Sequence, residues 1–316
     1  MRIFFFVLNP ILGIAIFLAG LRLLSQTLES VLGFRLHTLL TKLTATRTKS
    51  FLAGLAITAF IQSSSAVGAA MVVLTDTGVL TLTQALGVLL GANVGTTVTA
   101  QIIALPLEKL ALPLCAAGLG VRWIMKRPRV GAALFSLGAI FFGLSFTSAS
   151  LAPVVQAPTV YTALASFTHT PWQAVLSGAA LTVVVQSSSA VTGLVIGLTK
   201  QNLLQPWVAV GMALGSNVGT VATTLLASYG RSRASRATAL ADLLFNLAGV
   251  LLVLPFFPRF YQAVEYLSSQ PGRQVAHAHT LFNAVTALAV LPFLPKLARL
   301  AWWGAGIGAP TKNKLG

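Results

Sequence analysis

The chain has 316 residues, of which 56% are hydrophobic and only 8% charged, against roughly 25% charged residues in a water-soluble domain. Most of its surface therefore cannot face water, which excludes a soluble enzyme or a soluble binding module. The net charge of +16 does not indicate nucleic acid, because the basic residues form short clusters between apolar runs rather than one patch on a polar face.

Apolar runs of bilayer-crossing length recur along the chain. In lipid only helices or closed barrels satisfy the backbone, and these runs are too long and too uniformly apolar for barrel strands. The reading is an all-α polytopic membrane protein, with spans predicted at 3–24, 79–104, 110–125, 131–150, 203–229, 237–256 and 276–298. The first, Ile3–Leu24, lacks a polybasic start and reads as a span rather than a signal peptide. The stretches 26–46 and 150–170 read as interfacial helices, and Glu108–Lys109 as an outer loop. Asp76 and Lys200 read as solvated termini, and Trp302 and Trp303 as part of an aromatic belt. The single Cys115 permits no intrachain disulfide. His37, His169, His277 and His279 have no Cys or carboxylate neighbour at metal-ligand spacing.

Two runs, about 51–75 and 173–199, break the pattern. "FIQSSSAVGAAMVV" begins at Phe60 and "VVQSSSAVTGLVI" at Val184, each placing Gln and three serines inside apolar sequence. Gln62 recurs as Gln186 and Asn93 as Asn217, both 124 residues on, and "GANVGT" from Gly91 falls on "GSNVGT" from Gly215 without a gap. An internal repeat of this kind decides the architecture. A lone "SSS" in a membrane helix serves close packing; two copies with the same polar types at the same interval argue for binding.

Charge bias then sets the topology. If both serine runs are re-entrant helical hairpins, fifteen of the twenty-one basic residues, including Arg22 and Lys126–Arg129, share the cytoplasmic side. The nearly uncharged loop Ser150–Thr170 then faces outward. Each repeat crosses three times, so the two are inverted. The predicted organisation is a first inverted repeat over 1–130, a second over 131–256, and an extra span with a basic cytoplasmic tail over 257–316. The N-terminus lies outside and the C-terminus in the cytoplasm. Inverted repeats with broken helices near the midplane are an architecture of secondary transporters.

Each tetrad interrupts a helix and exposes free N–H groups and the positive end of the returning arm, which suits an anion. The serine hydroxyls add donors, while the Gln oxygen and the carbonyls ending the first arm suit a hard cation such as sodium. Asn93 and Asn217 offer amide oxygens, and Thr96, Thr97, Thr99, Thr220 and Thr223 offer hydroxyls, on helices whose glycines permit close approach or local unwinding. No Lys or Arg is expected near either tip, so an anion held there needs a co-bound cation. Asp242 in "DLLFN" and His279 in "HTLFN" match at an offset of 37, either as functional groups or as residues near span ends. An intramembrane serine enzyme would need a base at a tip, and no His, Lys or carboxylate is placed there.

The two "QSSS" tetrads, "GANVGTT", "GSNVGT" and the "FN" pairs at Phe245–Asn246 and Phe282–Asn283 resemble the type II sodium–phosphate cotransporters and their bacterial relatives, over nearly the whole chain. The resemblance implies sodium-coupled phosphate transport in the cytoplasmic membrane, with no cofactor beyond sodium as coupling ion. It implies Ser63, Ser64, Ser65, Ser187, Ser188 and Ser189 around phosphate. Gln62, Asn93, Thr96, Thr97, Gln186, Asn217, Thr220 and Thr223 would then serve sodium. The partners implied are phosphate, sodium and the lipid bilayer, with homo-oligomers left open. The hairpins and their following unwound helices would shift against the other spans. The family's His before "xxFN" is kept at His279 but replaced by Asp242, which leaves stoichiometry and proton coupling open. Transport of another anion, or a phosphate efflux valve, is the alternative. Many bacterial relatives add a soluble helical domain, for which no counterpart is expected after Gly316.

Overall fold

The computed structural model describes residues 2–32, 42–155, 157 and 170–306, with side chains from residue 8 onward. Regular structure among them is helical throughout, with no strand. Helix α1 spans Arg2–Leu32, and α2 (Arg47–Ile61) and α3 (Ser64–Asp76) flank the first tetrad. Helices α4 (Leu82–Ala104), α5 (Ala111–Trp123) and α6 (Pro128–Val155) follow. Helices α7 (Pro171–Val185) and α8 (Ser188–Lys200) flank the second tetrad, before α9 (Pro206–Ser228) and α10 (Arg233–Val253). The last three are α11 (Phe257–Leu267), α12 (Pro271–Val290) and α13 (Leu294–Gly304). Six described stretches are long and apolar enough to cross a membrane: Leu8–Val31, Leu82–Ala104, Pro128–Val155, Pro206–Ser228, Arg233–Leu267 and Pro271–Gly304.

Helix starts follow local chemistry. Thr46 accepts from the Lys49 amide, and Thr81 and Gln84 form a capping box. Pro171, Pro206 and Pro271 open their helices, where the missing N–H costs nothing.

The arms of each broken pair fold back on one another. The Thr44 carbonyl, just before α2, accepts from Gln84 Nε2 at 2.9 Å, and the Leu74 carbonyl, near the end of α3, accepts from the Leu80 amide at 3.1 Å. A straight helix from 44 to 74 would be about 45 Å long, whereas residues 80 and 84 are at most about 14 Å apart. The chain therefore reverses at the break. The second pair closes alike, with Pro171 against Gly211 and Leu198 bonded to Leu203.

The two hairpins approach from opposite ends of α4. The first has its open end at Gln84, near the start of that helix. At the other end Lys200, which closes α8, donates to the carbonyls of Ile103 and Leu105 at 3.2 and 2.7 Å. The 23 residues of α4 put about 35 Å between those ends.

Glycines set the packing of each hairpin on its long helix. A Cβ at Gly54 would collide with the Val88 carbonyl, one at Gly91 with that of Phe51, and one at Gly95 with that of Leu55. The same collisions recur 124 residues on, at Gly178 with Met212, Gly215 with Val175 and Gly219 with Ala179. The glycines thus serve close approach between helices, not unwinding. Against expectation, α4 and α9 run unbroken through "GANVGTT" and "GSNVGT". A second repeat, at an offset of 37, pairs α10 and α11 with α12 and α13, each pair joined by a 3-10 turn at "LPF".

Other boundaries also differ. The span expected over 110–125 is a helix of 13 residues, about 20 Å long, shorter than a hydrocarbon core of about 30 Å. It lies along α6, as does α1, so that α1, α5 and α6 form a bundle beside the remaining helices. Helix α1 runs on to Leu32, so the predicted interfacial helix 26–46 begins inside a span, and 33–41 lie outside the described residues. Most of 150–170 beyond Val155, with His169, also lies outside them, as do His37 and the tail from 307. Trp303 is 70% exposed, as an aromatic belt requires, but Trp302 is buried beneath the Arg233 guanidinium, 4.8 Å from its ring centroid.

Candidate functional site

The helix breaks are near-copies. Gln62 ends α2 in the left-handed region at φ 63° and ψ 26°, and Gln186 ends α7 at φ 58° and ψ 27°. A side chain is strained there, by roughly 1–2 kcal/mol, and such strain collects at functional sites. Ser63 and Ser187 return to extended backbone, at φ −145° and −151°. Each caps the next helix, its Oγ accepting from Ala66 N or Ala190 N at 3.2 Å. The amides of Ser64, Ser65, Ser188 and Ser189 fall in the first turns of α3 and α8, where no helical acceptor exists.

The tips meet. Ser65 Oγ donates to the Gln186 carbonyl at 3.3 Å, and Ser189 Oγ lies 3.1 Å from Thr96 Oγ1. Between them and α1 is a cavity of about 450 Å³, lined by Gln62, Ser63, Ser65, Gln186, Ser187, Ser189 and Thr223 from the repeats. Leu21, Arg22, Ser25 and Gln26 of α1 complete the wall. Among the described residues its lining carries one cation and no carboxylate. Paired helix N-termini, hydroxyls and a guanidinium around a space of this size are equipped to receive an oxyanion.

The chain matches a family model described as Na+/Pi-cotransporter twice in tandem, over residues 16–149 and 147–269. It belongs to the Na+/Pi-cotransporter family. With its apolar helices, it is thus a multi-pass membrane protein of a transporter family. YqeW of Bacillus subtilis (strain 168), an uncharacterised protein, is 33% identical over 260 residues, covering 82% of this chain and 85% of its own. YjbB of Salmonella typhimurium, named as a candidate inorganic phosphate export protein, is 30% identical over 264 residues, covering 83% of this chain and 49% of its own. Sodium-dependent phosphate transport protein 2C of Homo sapiens is 42% identical over 83 residues, which is 25% of this chain and 14% of that one. The chain therefore spans about half the length of the export-named relative. No solved structure matches it.

Within this family member, the residues read from the sequence separate into two groups. Gln62, Ser63, Ser65, Gln186, Ser187, Ser189 and Thr223 share the cavity, and Thr96 borders it through Ser189. Ser64 and Ser188 are buried and absent from its wall. Thr97 and Thr220 bond to carbonyls of their own helices, Val94 at 2.7 Å and Ser216 at 2.8 Å. Asn93 Nδ2 donates to Asn246 Oδ1 at 3.0 Å, and Asn246 Nδ2 to Asp242 Oδ1 at 3.0 Å. Asp242 Oδ2 also accepts from Thr224 Oγ1 at 2.9 Å. On the other repeat, Asn217 Oδ1 lies 3.3 Å from His279 Nε2. Asp242 and His279 thus sit buried in helix interiors, away from the span ends where interfacial placement would put them.

Three further expectations are corrected. Arg22, grouped by sequence with cytoplasmic loops, lies within α1 and lines the tip cavity, so a cation does stand near the tips. Its signal was a charge inside the apolar run "IFLAGLRLLSQ". Asp76 is not a free terminus but accepts from Arg231 Nη1 at 3.2 Å and the Ser232 amide at 3.0 Å. Lys200 pairs with Glu108 as well as the α4 carbonyls. Both pairings join sequence-distant loops and were invisible in a linear reading.

Proposed function

We propose that this protein couples sodium to the movement of inorganic phosphate across the cytoplasmic membrane by alternating access, and that it is not an enzyme. The observation that carries the reading is the meeting of two broken-helix tips from opposite ends of α4 around one cavity. In a membrane, hairpins so opposed are re-entrant from opposite faces, and their repeats, over 1–130 and 131–256, are inverted. The positive-inside bias puts the N-terminus outside and the C-terminus in the cytoplasm.

Phosphate oxygens would take the first-turn amides and the hydroxyls of Ser65 and Ser189. Sodium would take neutral oxygens close by: Gln62, Gln186, Thr96, Thr223 and the carbonyls that end α2 and α7. Asn93 and Asn217 bond to neighbouring helices and would hold the long helices in place, while Thr97 and Thr220 bond to carbonyls of their own helices. A divalent anion in a low-dielectric site is stabilised by the co-bound cation, which is the physical basis of coupling. The hairpins and the unbroken helices they pack on would move together against the bundle of α1, α5 and α6.

Purified protein in liposomes should take up labelled phosphate when a sodium gradient is imposed, and equal uptake in potassium would remove the sodium claim. Export is the second reading, favoured by the name of the YjbB relatives. It is separated by the direction of net phosphate movement in cells lacking the protein.

A further inference from the structure

We infer that Arg22 is the charged ligand of the anion, contributed by α1 from outside both hairpins. The inference rests on the reading above that the tip cavity is the anion site.

Arg22 stands within the candidate span Leu8–Val31. Its side chain is exposed, and the helix runs on beyond it through eight further residues to Val31. An ionised group within a membrane-crossing stretch is costly unless it is paired or hydrated in a cavity. Arg22 faces the cavity shared with Ser63, Ser65, Ser187 and Ser189. Among the described residues it has no ion-pair or hydrogen-bond partner: Asp76 and Glu108 pair with other cations, and Glu29, two turns further along α1, is outside the cavity wall. Among the described residues no carboxylate lines the cavity to neutralise it. The complement that the described cavity wall does not supply is therefore an anion, and a planar guanidinium suits the paired oxygens of a tetrahedral oxyanion. Supply by α1 also means that the site is completed only when the tips face the bundle of α1, α5 and α6.

The test uses full-length protein in liposomes, with Arg22→Gln and Arg22→Lys beside the unaltered chain. Loss of one charge-assisted pair should raise the phosphate KM roughly ten- to hundredfold in Arg22→Gln. Sodium should remain required, and Arg22→Lys, which keeps the charge but not the fork, should fall between. In unaltered detergent-solubilised protein, phosphate should protect Arg22 from phenylglyoxal, read by peptide mass spectrometry, and chloride should not. This second measurement decides the matter if Arg22→Gln fails to purify as a monodisperse protein. A wild-type KM in Arg22→Gln, or equal labelling of Arg22 with and without phosphate, overturns the inference while leaving phosphate transport standing. Absence of phosphate uptake by the unaltered protein overturns the transport reading instead, and protection then decides the role of Arg22 alone.

Discussion

The two helix breaks share a backbone and differ in how their side chains are held. At the first, Thr99 Oγ1 donates to Gln62 Oε1 at 2.6 Å, and Gln62 Nε2 is bonded to the Ala59 carbonyl. At the second, the equivalent Thr223 Oγ1 is buried without a partner, and Gln186 is exposed in the cavity. One tip is fastened and the other is open. Duplication therefore preserved what the backbone must do, presenting two helix N-termini to one space. It left one half preorganised and the other with unmet hydrogen-bonding capacity that a ligand can use. The outer ends diverge as well: Asp76 and Lys200 are equivalent positions of opposite charge, each fastened to the loop that follows the other repeat's long helix.

That contrast can be broken at several levels. Removing the paired hydroxyls by Ser65→Ala with Ser189→Ala should reduce phosphate uptake by roughly a hundredfold or more, since each bond to a charged group contributes about 1.5–3 kcal/mol. Uptake and expression measured side by side distinguish this from loss of protein. Next come Gly91→Ala and Gly215→Ala, whose new methyl groups meet the carbonyls of Phe51 and Val175. Each should destabilise the protein by about 1–3 kcal/mol in detergent unfolding, and by similar amounts, because the backbone is shared. The Gln pair should behave unequally. Gln62→Ala leaves the buried Thr99 hydroxyl unmet and should lower stability by about 1 kcal/mol. Gln186→Ala should leave stability unchanged and weaken sodium activation. Equal effects in both assays would erase the distinction between fastened and open tips. The smallest change is expected at the outer ends, where Asp76→Asn removes a solvent-screened pair and should shift stability least of all in the same unfolding measurement.

Much of this was legible because lipid makes polar residues conspicuous. Gln and three serines in an apolar run mark a break, and the 124-residue offset located its twin. The glycines were legible as sites of close approach, but their alternative use in unwinding was not distinguishable without knowing what packs on them. The carbonyls of α2 and α7 occupy those spaces, so α4 and α9 stay intact. Arg22 was misplaced because a charge beside a run's edge reads as the edge itself, although the helix continues to Leu32. Similarly, Asp76 and Lys200 looked solvated because their partners stand far away in sequence. The buried network of Asn93, Asn246 and Asp242 depends on helix rotation, which composition does not specify.

The most direct test of the shared cavity is an experimental density map of the protein with sodium and phosphate. The account predicts a tetrahedral feature between the tips, within hydrogen-bond distance of Ser65 and Ser189 and of the first-turn amides of α3 and α8. Phosphate density at another place, with the space between the tips filled by packed side chains, would contradict it.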